Sequence, residues 1–235
     1  MLRLFAAALA IPPQAFGLTP QHQRHRVTVP SGAAPASPPA VAGPGGRGPA
    51  AAGSPPGHPG GSSEAVTLYA DRGLITRQQW NGIIQGAASH LWLYGMAELG
   101  YASDDEVPGI LAAAAGKGCQ TRILLLNPDY PGIAAIDADE GSPPGTLATR
   151  TRAALARFGQ MRQACRDQVQ IRIYNAHPTV SVVRGDDRML VTPYLRFFIG
   201  SNSPTFELRS AAAKKMFSRY ERHFEDTWNR ATDWT

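Results

Sequence analysis

The stretch of residues 30–63 limits what this chain can fold into more than any other feature of the sequence. It contains nine Pro and nine Gly but a single formal charge, Arg47. Such a segment has neither a regularly spaced apolar face nor enough large apolar side chains to offset the entropy lost on ordering. We therefore predict a disordered linker over residues 21–65 and one globular domain over residues 66–235, which at about 170 residues is long enough to bury a core.

The net charge of +5 is divided unevenly between these two parts of the chain. Residues 1–65 carry four Arg and one Glu, which leaves a net charge of only +2 on residues 66–235. A domain that holds a nucleic acid duplex through its own phosphate contacts usually has a larger basic excess. The charge distribution therefore argues against direct DNA binding by the globular domain.

The sequence gives no sign of a disulfide framework, a zinc site or a membrane span. Cys119 and Cys165 lie far apart, and neither has a Cys or His nearby at the spacing of metal ligands. No stretch approaches 18 apolar residues, and the apolar segment 2–11 is short and is followed by Pro12 and Pro13. We predict a cytoplasmic protein with no metal, no cofactor and no membrane partner.

From residue 66 onward, short apolar runs alternate with helical patterns. We predict an α/β fold with a mostly parallel sheet, one antiparallel hairpin and helices on both faces. The predicted strands of the first part are residues 66–70, 91–96, 123–126 and 169–174, and the predicted helices are one that follows Thr76, one at about 107–115 and one that follows Pro144.

The order changes after residue 174. Two apolar runs, 180–184 and 189–191, flank the segment Gly-Asp-Asp-Arg, which predicts a hairpin. Residues 196–199 and 205–208 are predicted as further strands. The last predicted helix, 211–231, carries an aromatic stripe that we expect to pack on the sheet, formed by Phe217, Tyr220, Phe224 and Trp228.

A parallel unit followed by this hairpin resembles one half of the phospholipase D superfamily. Active members of that superfamily carry the motif H-x-K-x4-D on the first hairpin strand, where His attacks phosphorus and Lys neutralises the developing charge. Aligning Asp186 with the motif Asp places Thr179 at the His position and Ser181 at the Lys position. A shifted register that uses His177 also lacks the Lys. The resemblance therefore implies a degenerate motif, and we predict that the chain is not an enzyme.

Three further segments resemble bacterial transcriptional regulators of the XRE family. Residues 4–18, LFAAALAIPPQAFGL, are similar to the last helix and exit of the XRE-type helix-turn-helix domain, which predicts a remnant of that module over residues 1–20. Residues 118–128, GCQTRILLLNP, and 216–228, MFSRYERHFEDTW, resemble an uncharacterised phospholipase D-like domain that follows the helix-turn-helix in such regulators. The resemblance implies contact with DNA only through a helix-turn-helix module that this chain lacks.

A domain that has lost its catalytic pair can still bind a ligand. In open α/β sheets, the crevice lies beyond the carboxyl ends of the parallel strands. The polar residues that leave those ends are candidates for a small-molecule or nucleotide pocket, although local capping and turn formation are the favoured explanation for any one of them alone. They are Asp71, Arg72, Glu98, Asn127, Asp129, Asn175 and His177.

We therefore predict a non-catalytic ligand-sensing or assembly domain of an XRE-type regulator, with an unidentified small molecule or nucleotide as partner. Two alternatives stay open. The first is a divergent phosphodiesterase or nuclease that uses His177. The second is a dimerisation module, because single phospholipase D-like halves tend to form homodimers.

Overall fold

The computed structural model describes residues 64–165 and 168–235. The predictions for residues 1–20 and for residues 21–63 of the linker lie outside this part. The strands are β1 (Thr67–Tyr69), β2 (His90–Gly95), β3 (Gln120–Leu126), β4 (Val169–Tyr174), β5 (Val180–Gly185), β6 (Arg188–Pro193), β7 (Thr205–Arg209) and β8 (Thr232–Asp233). The helices are α1 (Arg77–Ile84), α2 (Leu99–Ala102), α3 (Val107–Gly116), α4 (Ile133–Asp139), α5 (Thr146–Cys165) and α6 (Lys214–Arg230).

All eight strands form one mixed sheet in the order β1-β7-β6-β5-β2-β3-β4-β8. The predicted α/β class and the antiparallel β5–β6 hairpin are confirmed. The prediction of a mostly parallel sheet is wrong, because only β2–β3 and β3–β4 pair in parallel. The hairpin adds to β2 in antiparallel orientation, and β7, β1 and β8 extend the sheet in the same antiparallel manner.

Helices cover both faces of the sheet, as predicted. On one face, the α6 side chain of Phe224 stacks on Trp92 of β2 with ring centroids 4.0 Å apart. On the other face, α1 packs so closely that a Cβ at Gly185 would collide with the carbonyl oxygen of Ile83. Phe217, Phe224 and Trp228 are all buried in the core.

Local sequence signals explain where two of these helices begin. The Thr76 hydroxyl accepts a hydrogen bond from the backbone of Gln79, and the Gln79 side chain bonds back to Thr76, which forms a capping box before α1. The buried Asp137 carboxylate accepts hydrogen bonds from the backbone N–H groups of Gly145 and Leu147, at 2.7 and 2.9 Å, at the start of α5. A carboxylate in this place also complements the helix dipole.

The strand predicted at residues 196–199 is wrong. Phe197 has a φ of 69°, in the left-handed region that breaks an extended strand. The side chains of Phe197 and Phe198 are exposed. This segment is a loop between β6 and β7.

Candidate functional site

Five strands run in the same direction and end at one edge of the sheet, where β5 begins. They are β1, β2, β3, β4 and β6. We call this the strand-end edge. The seven predicted ligand residues follow β1, β2, β3 and β4, so all of them lie at this edge. The structure divides them into separate groups, and only one of these groups is a buried cluster.

The buried cluster is built around the Glu98 carboxylate. Its Oε2 accepts a hydrogen bond from Arg72 Nη2 at 3.1 Å, and its Oε1 accepts one from Ser181 Oγ at 2.7 Å. The side chain of Glu98 is only 2% exposed, whereas that of Arg72 is 21% exposed. We call Arg72, Glu98, Ser181 and the neighbouring Tyr194 the edge cluster.

Aromatic side chains enclose the Arg72 end of the edge cluster. The guanidinium of Arg72 lies 4.8 Å from the centroid of the Trp80 ring, which in turn makes an edge-to-face contact with Tyr101. Burial lowers the pKa of Arg72, but the Glu98 carboxylate outweighs this effect and raises it above the usual range. Burial, followed by the nearby Glu98 charge, raises the pKa of Tyr194 and of Tyr101. Arg72 is therefore held as a cation and both phenols as neutral groups.

Two backbone features make room for the Glu98 carboxylate. Glu98 has a φ of 46°, in the left-handed region that is costly for residues other than Gly. Gly95 lies beside it, and a Cβ at that position would collide with Glu98 Oε1 and would lie 3.0 Å from the Tyr194 hydroxyl. The surrounding structure therefore holds Glu98 in a strained conformation that directs its carboxylate into the sheet.

Tyr194 closes the cluster beside the hairpin. Its hydroxyl accepts a hydrogen bond from the backbone N–H of Met96 at 3.2 Å, and its own N–H donates to the carbonyl oxygen of Thr179 at 2.9 Å. Sequence reasoning missed Tyr194, because residues 193–204 show no periodic pattern. It also missed Gly95, for which the only signal is a Gly at the end of an apolar strand.

The three residues that the sequence resemblance aligns with the phospholipase D motif are split between the two ends of β5. Ser181 is 1% exposed and belongs to the edge cluster, whereas Thr179 is exposed two residues earlier, on the same face of the strand. Asp186 lies five residues after Ser181, about 16 Å along an extended strand. Thr179 and Ser181 therefore share the strand-end edge, and Asp186 lies at the opposite edge.

Asp186 is satisfied by the backbone at that opposite edge. Its carboxylate accepts hydrogen bonds from the N–H groups of Ala88, Ser89 and His90 at 2.8 to 2.9 Å. Partial burial alone would raise the pKa of Asp186, but these three backbone bonds outweigh it and hold the pKa below its usual range. The contacts anchor the hairpin to the loop before β2.

The remaining candidates make local contacts or lie exposed at the strand-end edge. The Asn127 amide donates to Asn175 Oδ1 at 2.9 Å, and Asn127 Oδ1 accepts from the backbone of Asp129. Asp129 also pairs with Arg152 on the surface. Asp71 caps a short 3-10 turn by accepting from the N–H of Gly73, and His177 is exposed.

The polar groups of the edge cluster are paired with one another. The Ser181 hydroxyl donates a hydrogen bond to the Glu98 carboxylate, and Arg72 pairs with that same carboxylate. In the described residues, no three or more His, Cys, Asp or Glu side chains form a group that could hold a metal ion. No helix in this part of the chain has both the length and the apolar character needed to cross a bilayer.

Comparisons with known proteins give a family and a number of distant structural neighbours, two of which are described below. A family model described as "Domain of unknown function (DUF5919)" matches residues 62–234. No curated protein matches the sequence. One of the structural neighbours is TrmBL2, an archaeal chromatin protein whose structure shows a novel mode of DNA binding. Its sequence is 10% identical to this chain, and the two structures align with a TM-score of 0.46. The alignment covers 74% of this chain but only 55% of TrmBL2. Another is NUC from Salmonella typhimurium, a phospholipase D family member, which is 15% identical to this chain and aligns with a TM-score of 0.45. That alignment covers 73% of this chain and 99% of the NUC chain.

Proposed function

The chain belongs to the family described as a domain of unknown function, DUF5919, and for this member we propose a non-catalytic ligand-sensing or assembly domain. The observation that carries the proposal is the position of the Glu98 carboxylate between Arg72 and Ser181. Under the phospholipase D resemblance, Ser181 stands at the position of the motif Lys, and its hydroxyl and the nearest cation are both engaged by this carboxylate.

Three side chains near the hairpin are poorly suited to phosphodiester hydrolysis. Thr179 replaces the His nucleophile and is a poor nucleophile without a base to activate it. Ser181 cannot supply the positive charge of Lys, and its hydroxyl is committed to Glu98. The only cation of the edge cluster, Arg72, is neutralised by the same carboxylate. The lack of an activated nucleophile and of an unpaired cation among these residues supports the proposal of a domain without catalysis.

The regulatory context of the proposal rests on the sequence resemblance. Residues 4–18 resemble the end of an XRE-type helix-turn-helix domain, and the globular domain resembles the one that follows it in such regulators. We therefore propose that the domain serves a cytoplasmic transcriptional regulator, which contacts DNA through its helix-turn-helix module. A homodimer of this domain would place two binding modules at two half-sites of an operator.

A turnover assay tests the absence of catalysis. Wild-type protein and the His177→Ala variant are each incubated with phosphatidylcholine, bis(p-nitrophenyl) phosphate and single-stranded DNA. We expect no hydrolysis by wild type above the level of the variant. Hydrolysis by wild type that is lost in His177→Ala would replace the proposal with a divergent phosphodiesterase or nuclease, because His177 is exposed at the same edge as Thr179.

A further inference from the structure

A cavity lies between α1 and the sheet, on the same face of the sheet as the edge cluster. It has a volume of about 370 Å³. Ile75, Ile83 and Leu190 are buried and give it an apolar floor. The polar groups that line it are those of Tyr69, Gln78, Gln79, Arg188, Glu207 and Arg209. We call this cavity the α1 pocket.

The α1 pocket is separate from the edge cluster. Arg209 ends β7, and Thr205 begins the same strand at the strand-end edge. These two residues are about 13 Å apart along an extended strand. The polar residues of the α1 pocket were not among the sequence candidates, because its two arginines come from different strands and meet through the β6–β7 pairing.

The charges of the α1 pocket leave one cation in excess. Glu207 is 14% exposed, and its Oε1 accepts a hydrogen bond from Arg188 Nη2 at 2.9 Å. Its Oε2 accepts one from the Tyr69 hydroxyl at 3.1 Å. Arg209 lies 3.6 Å from the same carboxylate, beyond hydrogen-bond distance, and is 57% exposed. Arg188 thus neutralises Glu207, and the charge of Arg209 remains available to a ligand.

The Arg188 side chain in the wall of the α1 pocket is held in place by the protein itself. Arg188 is held between Glu207 and the carbonyl oxygen of Gly82 in α1, to which its Nη1 donates at 3.2 Å. Its Nε atom is buried and has no hydrogen-bond partner among the described residues. A buried donor without a partner is uncommon, because it loses its bonds to water without replacement.

We propose that the α1 pocket binds a small organic acid, with its apolar body on the Ile75, Ile83 and Leu190 floor and its oxyanion at Arg209. This inference rests on the proposed role of the domain in ligand binding and names the chemical class of that ligand. The volume falls within the range of small-molecule sites, about 300 to 1,000 Å³. Charge-assisted hydrogen bonds to a guanidinium supply both affinity and orientation.

Calorimetric titration with matched probes tests this proposal. The probes are benzoate, phenyl phosphate and benzamide, a neutral molecule of nearly the same shape as benzoate. We expect benzoate and phenyl phosphate to bind and benzamide to bind at least about tenfold more weakly, because it carries no charge for Arg209. The same titrations are repeated with Arg209→Gln, Arg209→Lys and the control Arg157→Gln, an exposed Arg on α5.

Arg209→Gln should weaken the binding of both anions by about tenfold or more, whereas Arg209→Lys should retain part of the affinity and Arg157→Gln all of it. Equal binding of benzoate and benzamide, unchanged affinity in Arg209→Gln, or no binding of either anion would overturn the proposal. None of these results depends on hydrolysis. A failed titration together with a negative turnover assay would therefore remove the ligand class and leave the non-catalytic assignment intact.

Discussion

The edge cluster and the α1 pocket lie on the same face of one sheet, but their charges are arranged in opposite ways. In the edge cluster, the carboxylate of Glu98 is buried and pairs with the only cation, Arg72. In the α1 pocket, Glu207 is already satisfied and the guanidinium of Arg209 remains half-exposed. The buried carboxylate of the edge cluster is thus fully paired within the protein, whereas the α1 pocket keeps an accessible cation.

The largest expected difference between the two regions is in stability. Glu98→Ala should lower the free energy of unfolding by about 3 to 5 kcal/mol, because it leaves Arg72 largely buried without its partner. Urea denaturation of wild type and variant measures this change. A loss below about 1 kcal/mol would mean that the buried Glu98 carboxylate contributes no more to stability than the exposed ion pair of Arg209.

Gly95→Ala should have the next largest effect. The added methyl group meets Glu98 Oε1 and the Tyr194 hydroxyl, so the carboxylate has to leave its position or the strand has to shift. Overpacking of this kind costs about 1 to 3 kcal/mol. Gly82→Ala in α1 is the matched control, because a Cβ there meets no other atom within 4 Å. If both variants melted at the wild-type temperature, the close fit around Glu98 would be refuted.

Asp186→Asn should show a smaller effect that depends on pH. The folded-state pKa of Asp186 is lower than that of the unfolded chain, which is about 3.9 for Asp. The ionised Asp186 carboxylate therefore stabilises the fold fully when the pH is above the pKa of the unfolded chain. This contribution to the free energy of unfolding is lost as the pH falls through the lower pKa of the folded state. We expect the variant to be about 1 kcal/mol less stable than wild type at pH 7, and the difference to shrink in urea titrations below about pH 4. A difference that stays constant down to pH 2 would contradict the role of the three backbone bonds.

The smallest expected change in stability is that of Arg209→Gln. The half-exposed Arg209 makes only a long ion pair, and such pairs contribute about 0 to 1 kcal/mol. Thermal unfolding without ligand should place this variant within about 0.5 kcal/mol of wild type. A much larger loss would show that Arg209 holds the structure together, and the contrast with the edge cluster would disappear.

The elements of the fold were largely predictable from local patterns. Thr76 marks the start of α1, the turn at Asp186 joins the hairpin, and the stripe of Phe217, Phe224 and Trp228 identifies the buried face of α6. The strand pairing was less predictable. An alternating pattern shows that strands exist, but it does not show that β5 inserts beside β2 in antiparallel orientation.

The candidate site was predictable in part as a set of residues, since Tyr194 and Gly95 were missed, and was not predictable as an arrangement. Arg72 and Glu98 were both expected at the strand-end edge, but as ligand-binding groups, whereas the structure pairs them with each other. Glu98 and Ser181 are 83 positions apart, and only the sheet order brings them into contact. The positive φ of Glu98, which directs its carboxylate inward, has no signal in a single sequence.

A crystal structure of the wild-type protein grown with tungstate, a stable mimic of a phosphoryl group, tests the central claim most directly. We predict that the Glu98 carboxylate remains between Arg72 and Ser181 and that no tungstate lies within hydrogen-bond distance of Ser181 Oγ. Tungstate bound beside Thr179 and Ser181, with Glu98 displaced from Arg72, would contradict the account, because the site would then accept the anion that Glu98 is proposed to exclude.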